Sequence, residues 1–195
     1  MRAGVYVYAA GSIVAGILDL IWGDFENAHQ PIQAFGDHIP GREILAYIAA
    51  IWLAAGGAAM LWRRTARAGA GALAVIYFIF AVFWLPRFYT APHFFGFQIP
   101  VLIGLLVGVA QQLILVAAAA IVYASFAPRN SAWLSRAPLA VRSTFGLSSI
   151  AFGLAHFTSI RFVSAMVPKW MPLGGGFWAI LSGIAFILAG IAILS

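Results

Sequence analysis

The stretch "GDFENAHQPIQAFGDHIPGRE" (23–43) holds four of the five acidic residues in the chain and two of its four histidines. Asp24, Glu26 and Asp37 are interspersed there with His29 and His38. Carboxylates and imidazoles gathered in one segment can orient one another, hold a metal, or pass a proton, because a neutral imidazole both donates and accepts. Asp19 precedes the stretch inside the apolar run "GILDLIW". An acid at mid-bilayer costs about 2.5–3.5 kcal/mol on insertion scales, so such a residue faces protein or the interface. His93 and His156 lie farther along the chain. The candidate metal ligands are His29, His38 and His93, although Pro31 and Gly36 separate the first two and no compact metal motif results. Gln111 and Gln112 add adjacent amides within "GLLVGVAQQLILVAA". Successive residues on a helix diverge, so at least one amide faces protein, either bonding a neighbouring helix or lining a polar cavity.

These residues need elements to carry them, and composition says which kind. Hydrophobic residues make up 64% of 195 residues, and charged residues 8%. Mean hydropathy is +0.99. Soluble domains carry about 25% charged residues to cover their surface. So few charges imply solvation by lipid, and membrane lipid is the first expected partner. The formal charge of +6 is topogenic in pattern: arginines flank apolar runs, with no basic patch interleaved with base-stacking aromatics, and nucleic acid is not an expected partner. The absence of cysteine excludes disulfides and thiolate sites within this chain.

A bilayer core needs about 20 helical residues. Six segments meet that length, at 3–22, 43–62, 68–85, 99–124, 139–158 and 177–194. The expected fold is therefore all-α, a polytopic membrane helix bundle. Arg2 before an apolar run and "YAAGS" resemble a signal peptide, but the following spans favour a retained helix. Placing the N-terminus in the cytoplasm puts Arg2, Arg63, Arg64, Arg67, Arg129, Arg136 and Arg142 inside. Arg42, Arg87, Arg161 and Lys169 then fall outside. This bias predicts both termini in the cytoplasm of a bacterial inner membrane.

All five acids and all four histidines then map to the outer side, on the loop 23–43, the loop 86–100, the loop 160–176 and the adjoining helix ends. Trp84, Phe88, Tyr89, Phe94, Phe95, Phe97 and Trp170 form an interfacial belt there, or the wall of a mouth for a lipid-soluble ligand. Gly104 and Gly108 form a GxxxG, read as a close-packing face. The glycines 174–176 read as a hinge, since no P-loop lysine follows.

An internal echo runs through the chain. "GSIVAGILDL" and "SSIAFGLAHF" align Ser12 with Ser149, Ile13 with Ile150, Gly16 with Gly153 and Asp19 with His156. Each is followed by a hydrophobic-Pro pair (Ile39-Pro40, Val167-Pro168) and a helix with Ala-Gly (Ala55-Gly56, Ala189-Gly190). The pattern in "SSIAFGLAHF…VPKWMPLGGGFWAILSGIAFILAG", with its weaker copy "GSIVAGILDL…HIPGREILAYIAAIWLAAGG", resembles the DoxX and DoxX-like family of small bacterial membrane proteins. The resemblance implies a four-helix membrane unit at 1–124, a cytoplasmic loop at 125–137, and a C-terminal hairpin at 138–195 matching half a repeat. The family pattern places a Glu in the second helix where this chain has Trp52 and Phe186. The resemblance also implies a subunit or scaffold of a quinone-linked redox system, rather than a stand-alone enzyme.

The resulting expectation is a polar outer face that binds a quinone head group or another membrane or periplasmic protein. Quinone comes first as a cofactor, ahead of haem or metal. Asp19, His29, His38, His93, His156, Gln111 and Gln112 are the ligand or proton-relay candidates, and a histidine would take a quinol proton while Asp19 stabilises the imidazolium. The competing readings are a small-solute or ion transporter, suggested by repetition and intramembrane polar groups, and a purely structural subunit. The echo relates spans by an even offset, which gives parallel rather than inverted repeats.

Overall fold

The computed structural model describes residues 3–26, 29, 40–126 and 137–195, and among them only helices and their connections occur. The elements are α1 (Ala3–Trp22), α2 (Arg42–Met60), α3 (Ala66–Phe83), α4 (Arg87–Phe95), α5 (Ile99–Ser125), α6 (Ala137–Thr158), α7 (Ile160–Met166) and α8 (Gly174–Leu194). Five stretches are long and apolar enough to cross a membrane: α1, α2, α3 with α4, α5 and α8. At 1.5 Å per residue, the 20 residues of α1 reach about 30 Å, the thickness of a bilayer core. Their outward side chains are apolar too. Val7 and Ile21 are each 72% exposed, and Ile44, Ile51, Phe78 and Leu188 are exposed on other helices. Water would penalise such a surface, whereas lipid would not. The fold is compatible with a multi-pass membrane protein.

The fifth expected span, 139–158, is helical and long enough, but Arg142, a set of hydroxyls and His156 dilute its apolar character. α6 therefore falls outside the set of strongly apolar spans. Arg142 reaches across to donate to the carbonyl of Leu194, satisfying an orphan group at the C-terminal end of α8. The expected loop 86–100 is largely the short helix α4. Pro86, with φ −58°, stands at its N-cap, where a ring-fixed φ suits a helix start, and Gly96, with φ 82°, ends it. The expected loop 160–176 likewise contains α7.

Neighbouring helices pack in the order α1–α2–α3–α5–α6–α8, with α4 against α5 and α7 against α8. The core lies among α1, α2, α3 and α5, around Leu53, Met60, Leu73, Phe80 and Ala119. Side chains lock the seams. Trp52 Nε1 donates to Ala72 O at 3.0 Å between α2 and α3. Arg67 Nη2 donates to the Tyr123 hydroxyl at 2.9 Å between α3 and α5. α1 and α5 are not among the closely packed pairs; the Tyr8 hydroxyl bridges them, donating to Leu115 O at 2.9 Å.

The echo between the two helical pairs has a packing counterpart. A Cβ added at Gly57 of α2 would meet Ala9 O at 2.7 Å, Ile13 Cγ1 and Ile13 N of α1. A Cβ at Gly190 of α8 would meet Gly146 O at 2.7 Å, Ile150 Cγ1 and Ile150 N of α6. Gly16 and Gly153 repeat the correspondence, against Ala50 and Ala54 in one pair and Gly183 and Ile187 in the other. These contacts match Gly57 to Gly190, one residue away from the sequence alignment of Gly56 with Gly190. Gly108 departs from its expected role, because the Trp84 ring fills its surface while Gly104 faces open space. The GxxxG on α5 thus seats a side chain rather than a helix backbone.

Candidate functional site

Asp19 ends the buried stripe of α1, which continues through Val5, Ala9, Ser12 and Gly16. Spacings of three and four keep these residues on one helix face. The chain then turns back over the helix end. Gly23 adopts φ 65°, a left-handed conformation that glycine enters without a Cβ penalty, and its N–H bonds Asp19 O at 3.0 Å. This turn brings the Glu26 N–H to Asp19 Oδ1 at 3.0 Å. It also places His29 Nδ1 at 3.5 Å from Asp19 Oδ2, the outer limit of a hydrogen bond.

Asp19 is fully buried and His29 is 6% exposed. The His29 imidazole stacks on Phe80 with centroids 4.4 Å apart and planes inclined by 13°. Its Nε2 lies 4.0 Å from Glu26 Oε2, and the Glu26 side chain is 41% exposed. The order is therefore buried carboxylate, imidazole, half-exposed carboxylate. An imidazole that takes a proton at one nitrogen and releases it from the other can connect the two acids.

A cavity of about 450 Å³ opens beside this triad, between α1, α3 and α5. Asp19, Glu26, His29, Ser12, Tyr77 and Gln111 are among its polar lining residues, with Tyr8. Val7, Leu18 and Leu115 are among its apolar walls. The Ser12 and Tyr77 hydroxyls lie 3.3 Å apart at the back. Such a mix, mostly apolar with a few convergent polar groups, is characteristic of small-molecule sites, and the volume lies within their usual range.

The other candidates fall elsewhere. Gln112 is fully buried, while its neighbour Gln111 lines the cavity. His93 sits on α4 with Nδ1 donating to Tyr89 O at 2.6 Å, exposed and beside the Tyr89 ring. His156 donates from Nδ1 to Phe152 O at 2.8 Å and lines a separate cavity below α7. His38 and Asp37 lie outside the described residues. Among the described residues, no three of His, Asp and Glu form a group that could hold a metal.

Asp24 stands apart from the cavity in a bidentate pair with Arg42, Nε to Oδ1 at 2.7 Å and Nη2 to Oδ2 at 3.0 Å. Hydrogen bonds from Arg42 hold the Asp24 carboxyl below the usual carboxylate range, against the opposing effect of desolvation and with help from the Phe25 N–H and the Arg42 charge. This pair clamps the first residues after α1 to the start of α2.

Sequence reasoning did not place Tyr8, Ser12, Tyr77, Phe80 or Arg87 among the site candidates, although Ser12 marked the echo and Arg87 the outer side. Ser12 shares the Asp19 stripe and Tyr8 lies about three helical turns before Asp19, so helical spacing from Asp19 was a usable signal. Tyr77 and Phe80 come from α3, and only tertiary packing brings them to His29. Arg87 is buried at 2% exposure, with its guanidinium 3.8 Å from the Trp84 ring centroid. An aromatic three residues before an arginine at a helix junction is its only local sign.

No protein-family model, curated protein or solved structure matches this chain.

Proposed function

We propose that this chain is a six-span bacterial inner-membrane subunit whose α1–α3–α5 cavity binds the head group of a lipid-soluble quinol, working with a redox partner. The observation that carries this reading is the convergence of Asp19, His29, Glu26 and Gln111 on one cavity of about 450 Å³ with apolar side walls. A ligand arriving from the bilayer would keep its tail against Leu18 and Leu115 and its hydroxyls against the carboxylates and the amide. Asp19 accepts one hydroxyl, with His29 held edge-on to it by the Phe80 stack. When a partner redox protein removes two electrons from the quinol, two protons must leave. The imidazole can carry them in turn from the buried acid to Glu26 and so to the outer surface. The resemblance to DoxX-like subunits and the arginine bias, which directs the Asp19 end outward, support the same reading.

The test is the affinity of the purified chain in lipid nanodiscs for a short-tailed quinol, compared with that of Asp19→Asn. Losing a charge-assisted bond from a buried site costs about 1.5–3 kcal/mol, so binding should weaken roughly tenfold to a hundredfold. Equal affinity in the variant, or no binding by the parent, contradicts the proposal.

A further inference from the structure

The packing correspondence between the α1–α2 and α6–α8 pairs sets His156 in the place of Asp19, three residues after the matched Gly153 and Gly16. The connections that follow differ in the same sense. The first carries the acids; residues 159–173 carry none, and hold Arg161, Lys169 and two of the four methionines of the chain. A cavity of about 290 Å³ lies here between the end of α6, α7 and the start of α8. Its lining includes His156, Met166, Met171, Trp178 and Ser182.

The donor chemistry of this cavity is soft. The Nδ1–H of His156 is committed to Phe152 O, which fixes the tautomer and leaves the lone pair on Nε2. A backbone carbonyl in that role is the usual outer partner of a metal-binding histidine. Met171 is set by a turn, its N–H bonding Pro168 O at 3.0 Å. Met166 ends α7 exposed at the mouth, on an unbranched side chain with three rotatable bonds. Trp178 Nε1 donates to Pro172 O at 2.7 Å, which pins the indole in the cavity lining. Among the described residues no carboxylate lines the cavity, and calcium, magnesium and manganese need oxygen ligands that this lining does not offer. Two thioethers and an imidazole select a soft monovalent ion instead.

We propose that His156, Met166 and Met171 form a site for Cu(I), with Trp178 beside it in the lining. Binding involves no change of oxidation state, and the site is independent of the quinol cavity. The chain has no cysteine, so thioethers are its softest donors; Met60 is fully buried, which leaves Met166 and Met171 to be told apart from Met1 by substitution.

The experiment is an anaerobic competition between the purified full-length chain and a chromophoric Cu(I) chelator, repeated with Ag(I) as a redox-inert probe. The parent should withdraw one equivalent of either ion and quench tryptophan fluorescence. Met166→Leu with Met171→Leu conserves volume, and should weaken binding at least tenfold with the helical melting profile unchanged. His156→Gln should do the same, and Asp19→Asn should leave metal binding intact. Failure of the parent to withdraw metal overturns the proposal. So does unchanged affinity in the double methionine variant, which would mean adventitious binding elsewhere.

Discussion

At the scale of single residues, the buried Asp19 lies five residues before Asp24, which Arg42 ties to the start of α2. Asp24 and Arg42 form a bidentate pair, with the Asp24 side chain 48% exposed. Exposed pairs contribute about 0.2–1 kcal/mol. Because the folded Asp24 carboxyl titrates below its unfolded range, the contribution is complete above that range. It disappears as pH falls through the lowered folded value. Arg42→Gln should therefore lower the thermal midpoint slightly at neutral pH, and the difference from the parent should close in acid. A difference that persists in strong acid would assign the effect of Arg42 to packing. The composition made Asp19 conspicuous, since an acid in an apolar run invites explanation. It could not show that Glu26 would offer its backbone N–H, because that depends on Gly23 turning the chain back. His93 was equally conspicuous, yet Pro86 starts a helix that carries it to an exposed position instead.

At the scale of elements, helices were legible wherever apolar runs exceeded the bilayer span, and short interfacial helices were not. α4 and α7 each carry an arginine and one or more aromatic side chains, and α4 also Pro92, in stretches too brief for periodicity to speak. The packing of the two hairpins rests instead on small residues. A side chain at Gly57 or Gly190 collides with backbone of the facing helix, which cannot be relieved by a rotamer change. Gly57→Ala and Gly190→Ala should each destabilise by about 1–3 kcal/mol, the usual cost of overpacking. Gly104→Ala, where the added methyl meets open space, should be neutral or slightly stabilising through helix propensity. Unfolding in detergent would measure all three. Equal effects at all three positions would remove close backbone approach as the cause. The echo was visible in the sequence through Ser12, Ile13 and Gly16; its register in the second helix was not, because Gly56 and Gly57 are adjacent and only contacts distinguish them.

At the scale of the whole molecule, a ring of α1, α2, α3 and α5 is closed by packing on every side except between α1 and α5. That gap is where the polar residues converge, so the open seam and the candidate site are the same feature. A hydrophobic ligand needs no aqueous path to such a seam; it can enter sideways from the bilayer between the two helices. The direct test is photoaffinity labelling of the chain in nanodiscs with a quinone bearing a photoreactive group on its ring, followed by peptide mapping. The account predicts label on α1 and α5 around Leu18, Gln111 and Leu115, displaced by excess unlabelled quinol and diminished in Asp19→Asn. Label spread along the outer faces of α2 and α8, unaffected by competitor or by the substitution, would contradict it.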